Sequence, residues 1–425
     1  MIYYKNSIKP GGGISAHAAL AVCTLLFTVN FMDRSVMSAV LEPMKRDLGL
    51  SDAQAGLVQT LFFISLAFLS TPVAYLVDRW SRKKSIGLMA LAWSLFTYGT
   101  GVARSFTALL AMRIFVATGE AGFSSGSIAL ITASYPERMR ARVVALFNMG
   151  LPLGSALGVM LGGYISAHHG GWRAPFYLFA FPGVALGLAA FFLKDYATAP
   201  ENTGAGRPGG FIKSARELFS IPSLRWNYFG YAMMNAFVTM IFAWLPSLII
   251  RISGIGEDKA GLLMAMVLGG CLLGTMSGGV VADLWQRRNP QARMLLPAAA
   301  ALLSLAIMML ALYLFNLGMT GVTLALLVAV GFVCTLGIPA QQAVTQDVVP
   351  TRLKGLSFGM LMFMMYFGGG WSPLLVGAIS DGSGSGVGGL MTGFISITVV
   401  TLLLSSWCYF RGSRFYPGDA AKFRE

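Results

Sequence analysis

Long apolar stretches alternate with short polar connections along the whole chain of 425 residues. Most of these stretches hold about 20 residues or more, the length that an α-helix needs to cross the hydrocarbon core of a bilayer. The pattern therefore predicts an all-α membrane protein with twelve transmembrane helices. The predicted spans cover residues 17–40, 53–77, 86–104, 106–134, 143–167, 173–193, 226–250, 260–282, 294–315, 320–345, 355–380 and 388–411.

One connection is longer than the others and differs in composition. Residues 194–225 contain Pro200, Pro208, several glycines and several charges, which is typical of a linker. This segment divides the spans into two groups of six. We therefore predict an N-terminal six-helix bundle at 1–193, a cytoplasmic linker at 194–225 and a C-terminal six-helix bundle at 226–425.

The two halves contain similar segments in the same order. Residues 49–57 (GLSDAQAGL) align with residues 254–262 (GIGEDKAGL) at an offset of 205, and the same offset carries Asp78 onto Asp283. Several ordered matches at nearly one spacing indicate a duplicated unit. We therefore expect two six-helix pseudo-repeats, an arrangement that is typical of transporters with a central binding site.

The composition agrees with a membrane protein. Hydrophobic residues make up 56% of the chain and charged residues only 11%, whereas a soluble domain carries about 25% charged residues. The net charge of +14 would suggest nucleic-acid binding in a soluble protein. In a membrane protein, basic loops that face anionic cytoplasmic lipid explain the charge, so we expect no nucleic-acid partner.

The distribution of basic residues predicts the orientation. With the N-terminus in the cytoplasm, 23 of the 31 Lys and Arg residues lie on the inner side and six on the outer side. The remaining two, Arg34 and Arg113, lie inside spans. This bias predicts that both termini are cytoplasmic. We read the first apolar stretch as a span and not as a signal peptide, and we expect a multi-pass protein of a bacterial inner membrane.

Patterns of enzymatic or metal chemistry are not found in the sequence. The four cysteines lie in apolar runs without metal-ligand spacing, and the three histidines form no metal-binding pattern. No glycine-rich phosphate-binding loop ends in Lys-Ser or Lys-Thr, so ATP coupling is not expected. We expect a protein that is not an enzyme, that has no cofactor or metal, and that is a monomer.

Four charged residues lie within apolar spans, all in the first half: Asp33, Arg34, Arg113 and Glu120. A charge inside the bilayer costs several kcal/mol unless it is paired or hydrated, so each is a candidate functional residue. At about 1.5 Å per residue, Asp33 and Arg113 both lie about 10 Å below the outer surface and are able to pair. One interpretation is a structural pair that joins spans one and four.

The other interpretation is a proton site formed by Asp33, Glu120 and Arg113. Glu120 lies nearly two turns beyond Arg113 on the same helix face, near the midplane, where transporters bind coupling ions. It has no basic residue three or four positions away on its own helix. Burial disfavours the charged form of a carboxylate, so Asp33 and Glu120 are predicted to bind the proton. Arg34, with Asn30 on the same face, is predicted to hold an anionic headgroup.

The second half offers candidates for the remainder of a substrate site. Asn227, Tyr231 and Asn235 recur at four-residue intervals on span seven. A polar stripe on an apolar helix faces either a cavity or another helix, and the sequence leaves both open. Tyr366 and Trp371 of span eleven are further candidates.

The connection between spans two and three carries a motif that occurs twice. Residues 74–84 read AYLVDRWSRKK, and residues 279–288, after span eight, read GVVADLWQRR. Both copies resemble the signature loop of major facilitator superfamily transporters, with Ala74 where glycine is usual. The resemblance covers essentially the whole chain and implies alternating access between the two bundles. It also implies a cytoplasmic gate formed by Asp78, Arg79, Arg82, Arg140 and Asp283.

Three further stretches indicate a group within this superfamily. They are residues 30–34 (NFMDR), 56–60 (GLVQT) and 113–121 (RIFVATGEA). Together they resemble the Spinster-like transporters, which move lysophospholipids and sphingoid lipids. They are less similar to the anion:cation symporters of hexuronates and aromatic acids. The resemblance thus implies a proton-coupled secondary transporter, in contact with membrane lipid, for an amphipathic lipid. The alternative is a proton-coupled symporter of a small organic anion. A channel or scaffold without coupled transport is disfavoured, because a channel needs no paired inner gates.

Overall fold

The computed structural model describes residues 14–195 and 210–423, and these residues form helices and connections without strands. The first nine helices are α1 (Ile14–Ala39), α2 (Leu41–Leu48), α3 (Asp52–Arg79), α4 (Arg82–Val102), α5 (Phe106–Glu120), α6 (Phe123–Ser134), α7 (Glu137–Asn148), α8 (Gly150–His168) and α9 (Ala174–Ala190). The other helices are α10 (Gly210–Ser220), α11 (Pro222–Ser253), α12 (Glu257–Gln286), α13 (Ala292–Asn316), α14 (Thr320–Thr335), α15 (Ile338–Asp347), α16 (Lys354–Gly370), α17 (Ser372–Gly382), α18 (Gly386–Ser413) and α19 (Tyr416–Ala421). Short 3-10 helices precede α9 at Gly171–Arg173 and α16 at Thr351–Leu353.

Twelve helical segments in the described part of the chain are long and apolar enough to cross a membrane. In chain order they are α1, α3, α4, α5–α6, α7–α8, α9, α11, α12, α13, α14–α15, α16–α17 and α18. Each lies within a few residues of its predicted span, so the predicted all-α fold with twelve transmembrane helices is confirmed. We number the spans from one to twelve in this order.

Four of the spans are interrupted, which the apolar pattern did not predict. Two of the new helices have a proline as their second residue, Pro339 in α15 and Pro373 in α17. Proline favours a helix start because it has no backbone N–H to donate to the preceding turn. Span four breaks between Glu120 and Phe123, so Glu120 is the last residue of α5. The break at Glu120 places this carboxylate at a helix end inside the protein.

The described residues cluster into two compact units. The first draws on residues 14–50, 68–195 and Gly256–Gly261, and the second on Ser51–Ala67, 210–255 and 262–423. The N-terminal part of α3 therefore packs with the second unit. The division of the sequence into bundles at 1–193 and 226–425 stays a prediction about the repeated halves.

Glycines fix the packing of the first unit. Span one lies so close to α8 that a Cβ at Gly154 would overlap the carbonyl oxygen of Thr28, and a Cβ at Gly158 would lie 2.6 Å from the carbonyl oxygen of Met32. Small residues allow such contact because nothing separates the two backbones. The contact holds Met32, and with it the neighbouring charged residues of span one, in a fixed position.

The connections of the first unit are held by polar contacts. Asp47, just before the end of α2, accepts a hydrogen bond of 2.5 Å from Arg173 and one of 3.1 Å from the indole N–H of Trp172. These two donors lower the pKa of Asp47 because they stabilise its charged form. The pair ties α2 to the 3-10 helix before span six.

The core of the second unit lies between α11, α13, α16 and α18. Tyr228 is fully buried there, and its hydroxyl lies 2.9 Å from the Ser357 hydroxyl. The C-terminal helix α19 closes one end of this core. Its Asp419 accepts hydrogen bonds from the backbone N–H and the hydroxyl of Ser223 and so caps the first turn of α11.

Candidate functional site

The four charged residues predicted inside the membrane come together in the first unit. Arg34 of span one donates from Nε to Oε2 of Glu120 in span four at 2.6 Å. Asp33, the neighbour of Arg34, accepts a hydrogen bond of 3.3 Å at Oδ2 from the hydroxyl of Thr97 in span three. Arg113 interacts electrostatically with both carboxylates. The result is one cluster with two carboxylates and two guanidinium groups, which carries no net charge when all four are ionised.

Burial makes the charges of this cluster interact strongly. Asp33 is 1% exposed, Arg113 2% and Glu120 3%, whereas the Arg34 side chain keeps 14% of its surface exposed. Electrostatic interactions are stronger in such a low-dielectric interior than in water. A change of charge on one member therefore acts strongly on the other three.

Some polar atoms of the cluster lack a hydrogen-bond partner among the described residues. These atoms are Oδ1 of Asp33, Oε1 of Glu120 and Nδ2 of Asn30. The Asn30 amide lies beside the Glu120 carboxylate. Buried polar groups are nearly always satisfied, so unpartnered atoms at one place call for an explanation such as a bound water or a changing protonation state. Each carboxylate here has one oxygen without a hydrogen-bond partner among the described residues.

The ion-pair partner of Glu120 was not predicted from the sequence. Helical spacing placed no basic residue near Glu120 on its own helix. The structure pairs Glu120 with Arg34 of span one, whose guanidinium also lies 4.7 Å from the centre of the Phe31 ring. Spacing along one helix cannot reveal a partner on another helix. Thr97 was missed for the same reason, since one threonine in an apolar span carries no signal.

The candidates of the second unit lie on α11 and α16. Tyr231 is buried, and its hydroxyl donates to the Met365 sulphur at 3.6 Å. Asn235 is half-buried and donates to the Tyr231 carbonyl oxygen at 3.0 Å. Tyr366 is half-buried and stacks on Phe63 with 6.5 Å between ring centres. These residues are placed in the interior of the unit or at its edge, and their role in binding stays a prediction.

Asn227, the first residue of the predicted polar stripe, is fully buried and donates from Nδ2 to the Gln341 carbonyl oxygen at 3.0 Å. This contact joins span seven to span ten. At this position, the stripe faces another helix.

The predicted gate residues lie at the ends of spans. The side chains of Asp78 and Arg79 lie outside the described part of the chain. Arg140 is exposed and donates to the Thr132 carbonyl oxygen at 3.1 Å. Asp283 pairs with Arg293 at 3.2 Å, and Arg82 starts α4. The gate assignment stays a prediction from the resemblance.

Comparison with known proteins gives related sequences over most of the chain. The sequence model of the Major Facilitator Superfamily matches residues 23–373. Protein spinster homolog 1 of Xenopus tropicalis is 28% identical over 400 residues, which cover 87% of this chain and 74% of that protein. An MFS-type efflux pump of Mycolicibacterium smegmatis is 26% identical over 411 residues, which cover 95% of this chain and 94% of the pump.

Solved structures share the fold. A bacterial homolog of the human lysosomal transporter Spinster, in an inward-facing and unoccupied conformation, superposes with a TM-score of 0.85 at 23% identity. The match covers 96% of this chain and 99% of that one. A D-xylose–proton symporter gives a TM-score of 0.72 at 16% identity, over 92% of this chain and 97% of the symporter.

Proposed function

Because this chain belongs to the Major Facilitator Superfamily, we propose that it is a proton-coupled secondary active transporter for an amphipathic lipid such as a lysophospholipid or sphingoid lipid. The resemblance seen in the signature loops and in residues 30–34, 56–60 and 113–121 is confirmed by the superfamily match and by relatives named spinster. The chain is an integral membrane transporter with multiple spans. Proton coupling, the lipid cargo and alternating access are the proposed parts.

The observation that supports proton coupling is the Arg34–Glu120 ion pair inside a buried cluster that is electrically balanced. When Glu120 takes up a proton, it no longer attracts Arg34 as a carboxylate does. Arg34 is the more exposed partner, and its attraction to an incoming anionic group then meets less competition from Glu120. Protonation of Glu120 thus favours binding of an anionic substrate at this guanidinium.

Charge balance determines whether proton binding strengthens or weakens anion binding. One proton on Asp33 or Glu120 leaves the cluster with a net charge of +1, and an unbalanced charge is costly in a low-dielectric interior. An anionic group near Arg34 would restore the balance. Proton binding therefore strengthens anion binding, and by linkage anion binding strengthens proton binding by the same factor.

The lipid cargo is supported by the resemblance to Spinster-like transporters. In this proposal the phosphate or carboxylate of the headgroup binds Arg34 with help from Asn30. Tyr231, Asn235 and Tyr366 contact the remainder of the substrate. Their mixture of aromatic surface and hydrogen-bonding groups suits an amphipathic molecule.

The orientation and the gate complete the proposal. The bias of Lys and Arg residues supports cytoplasmic termini in a bacterial inner membrane. Asp78, Arg79, Arg82, Arg140 and Asp283 are proposed to close the cytoplasmic side when the outer side is open. Their positions at span ends, in both halves of the chain, support this role.

A small organic anion is the second candidate cargo, because the planar guanidinium of Arg34 suits bidentate binding of a carboxylate. Uptake by the purified protein in liposomes separates the two candidates. We expect an imposed pH gradient to drive movement of a fluorescent lysophospholipid, with no movement of a hexuronate. Movement of the hexuronate alone would replace the lipid assignment, and equal rates with and without the gradient would contradict proton coupling.

A further inference from the structure

One face of the second unit carries exposed arginines beside aromatic rings, where span seven begins and span twelve ends. Arg225 lies in the first turn of α11, Arg411 lies in the last turn of α18, and Arg414 follows that turn. All three are exposed, and among the described residues none of them forms an ion pair. We call this face the basic-aromatic surface, and it consists of Arg225, Trp226, Trp407, Phe410, Arg411 and Arg414.

Aromatic rings join α11 and α18 at this surface. The indole rings of Trp226 and Trp407 meet edge to face, with 5.0 Å between ring centres. Gly412 allows this contact, because a Cβ at that position would lie 2.9 Å from the Cβ of Trp226. Trp407 is exposed. Tryptophan is enriched at the level of the lipid headgroups, because its ring is apolar and its N–H needs a polar partner.

Two of the guanidinium groups lie beside these rings. Cζ of Arg225 is 6.0 Å from the centre of the Trp226 ring, and Cζ of Arg414 is 5.7 Å from the centre of the Phe410 ring. Arg411 lies one turn beyond the tryptophan of its own helix, on the same face. An arginine beside a ring keeps its charge and its planar set of N–H donors. All three side chains can therefore donate to an anion.

The same face of α18 changes from apolar to aromatic to basic toward the helix end. Val400, Leu403 and Leu404 are exposed on it, then the two aromatic residues follow, and the two arginines come last. Exposed apolar side chains of a membrane-spanning helix contact acyl chains, whereas aromatic and basic residues collect at the interface. This order places the arginines at the level of the lipid headgroups.

The charge of this surface determines which partner it suits. Acidic residues of the neighbouring helices are already bound, since Asp419 of α19 accepts from Ser223 and pairs with Lys422, and Glu217 of α10 pairs with Arg352. In a symmetric contact with a second copy of the chain, the same arginines would face each other and repel. An anionic partner is favoured instead.

We propose that the basic-aromatic surface binds an anionic diacyl phospholipid of the surrounding bilayer. The phosphodiester contacts Arg225, Arg411 and Arg414, and the acyl chains lie along the apolar part of the α18 face. This apolar part favours a lipid over a free phosphate. The surface is separate from the proposed cargo site at Arg34 and does not depend on transport. On the orientation proposed above it faces the cytoplasmic leaflet, whose anionic lipids attract basic residues.

Native mass spectrometry of the purified full-length protein measures the binding of individual lipids. The probes are dioleoyl-phosphatidylglycerol, which is anionic, and dioleoyl-phosphatidylcholine, which has the same acyl chains and no net charge. An arginine near an anionic headgroup strengthens binding about fivefold, which corresponds to about 1 kcal/mol. We expect the triple variant Arg225→Gln, Arg411→Gln, Arg414→Gln to bind phosphatidylglycerol about a hundredfold more weakly than the wild type, with binding of phosphatidylcholine unchanged.

The matched control removes the same number of positive charges elsewhere on the chain. It combines Arg138→Gln, Arg142→Gln and Arg288→Gln, at exposed positions that are also predicted to be cytoplasmic. This variant should bind phosphatidylglycerol as the wild type does. An equal loss of affinity in the control would make the effect one of net charge and would overturn the site. Each single variant of the surface should lose about fivefold, so the test does not depend on folding of the triple variant.

Other occupants of the surface give different results in the same experiment. Displacement of phosphatidylglycerol by an equal concentration of inorganic phosphate would assign the surface to a free anion. A dimer that disappears in the triple variant would make the surface a contact between copies. Loss of phosphatidylglycerol binding in Arg34→Gln would place the bound phospholipid at the proposed cargo site. Each of these results overturns the proposal, whereas failure of pH-driven lysolipid transport would contradict only the proposed function.

Discussion

At the scale of single residues, the proposed proton coupling depends on how four buried charges share their partners. Arg34 and Glu120 form a direct pair, whereas Asp33 is held by the neutral Thr97. The two carboxylates are therefore not equivalent. Neutralising Glu120 removes the carboxylate that pairs directly with Arg34. We infer that Glu120 transmits the proton signal to Arg34.

Replacement of Glu120 by glutamine tests this role. Glu120→Gln keeps the shape of the side chain but fixes it in a neutral form, so we expect pH-driven transport to fall below about one tenth of the wild-type rate between pH 5 and 8. Exchange of substrate without a pH gradient should persist, because Arg34 remains. Liposome transport measures both. The matched control is Glu137→Gln at an exposed carboxylate, and unchanged pH-driven transport by Glu120→Gln would remove this residue from the coupling step.

At the scale of helices, features that depend on one continuous segment could be predicted from the sequence. Contacts between different helices could not. Span positions follow from apolar length, and the depth of each charge along its span follows from the helical rise, so both could be read from the sequence. The Arg34–Glu120 pair and the Asp52–Arg251 pair join residues 86 and 199 positions apart. The spacing of residues along one helix does not predict contacts over such distances in the sequence. The break after Glu120 was missed because the apolar run continues through it.

The glycines of α8 give a prediction at this scale. Gly154→Ala adds a Cβ that would overlap the carbonyl oxygen of Thr28, so α1 and α8 have to separate. Overpacking of this kind costs about 1–3 kcal/mol, more than the gain in helix propensity from alanine. We expect a lower melting temperature in detergent and slower transport, since span one carries Asp33 and Arg34. The control Gly359→Ala lies within α16, where an added Cβ meets nothing within 4 Å, and a melting temperature equal for both variants would contradict the close contact.

At the scale of the whole molecule, two charge networks occupy different compact units and differ in design. The cluster around Glu120 has as many guanidinium groups as carboxylates, and it changes charge when it binds a proton. The network of Asp52, Arg251 and Asp381 has two carboxylates, one guanidinium and a helix N-terminus, and it joins helix ends. In the proposed cycle the first network selects what is bound, and the second joins the ends of α3, α11 and α17. The sides assigned to the proposed gate and to the basic-aromatic surface depend on which side of the membrane each span end faces.

The orientation is therefore the prediction on which the remaining assignments depend, and two single-cysteine variants decide it. Arg104→Cys lies between spans three and four, and Arg288→Cys lies between spans eight and nine, both at exposed positions. The bias of Lys and Arg residues places Arg104 outside and Arg288 inside. In intact cells, in a background in which the four native cysteines are replaced, an impermeant maleimide should label Arg104→Cys at least about tenfold faster than Arg288→Cys. The difference should vanish when the membrane is permeabilised. Faster labelling of Arg288→Cys in intact cells would invert the topology.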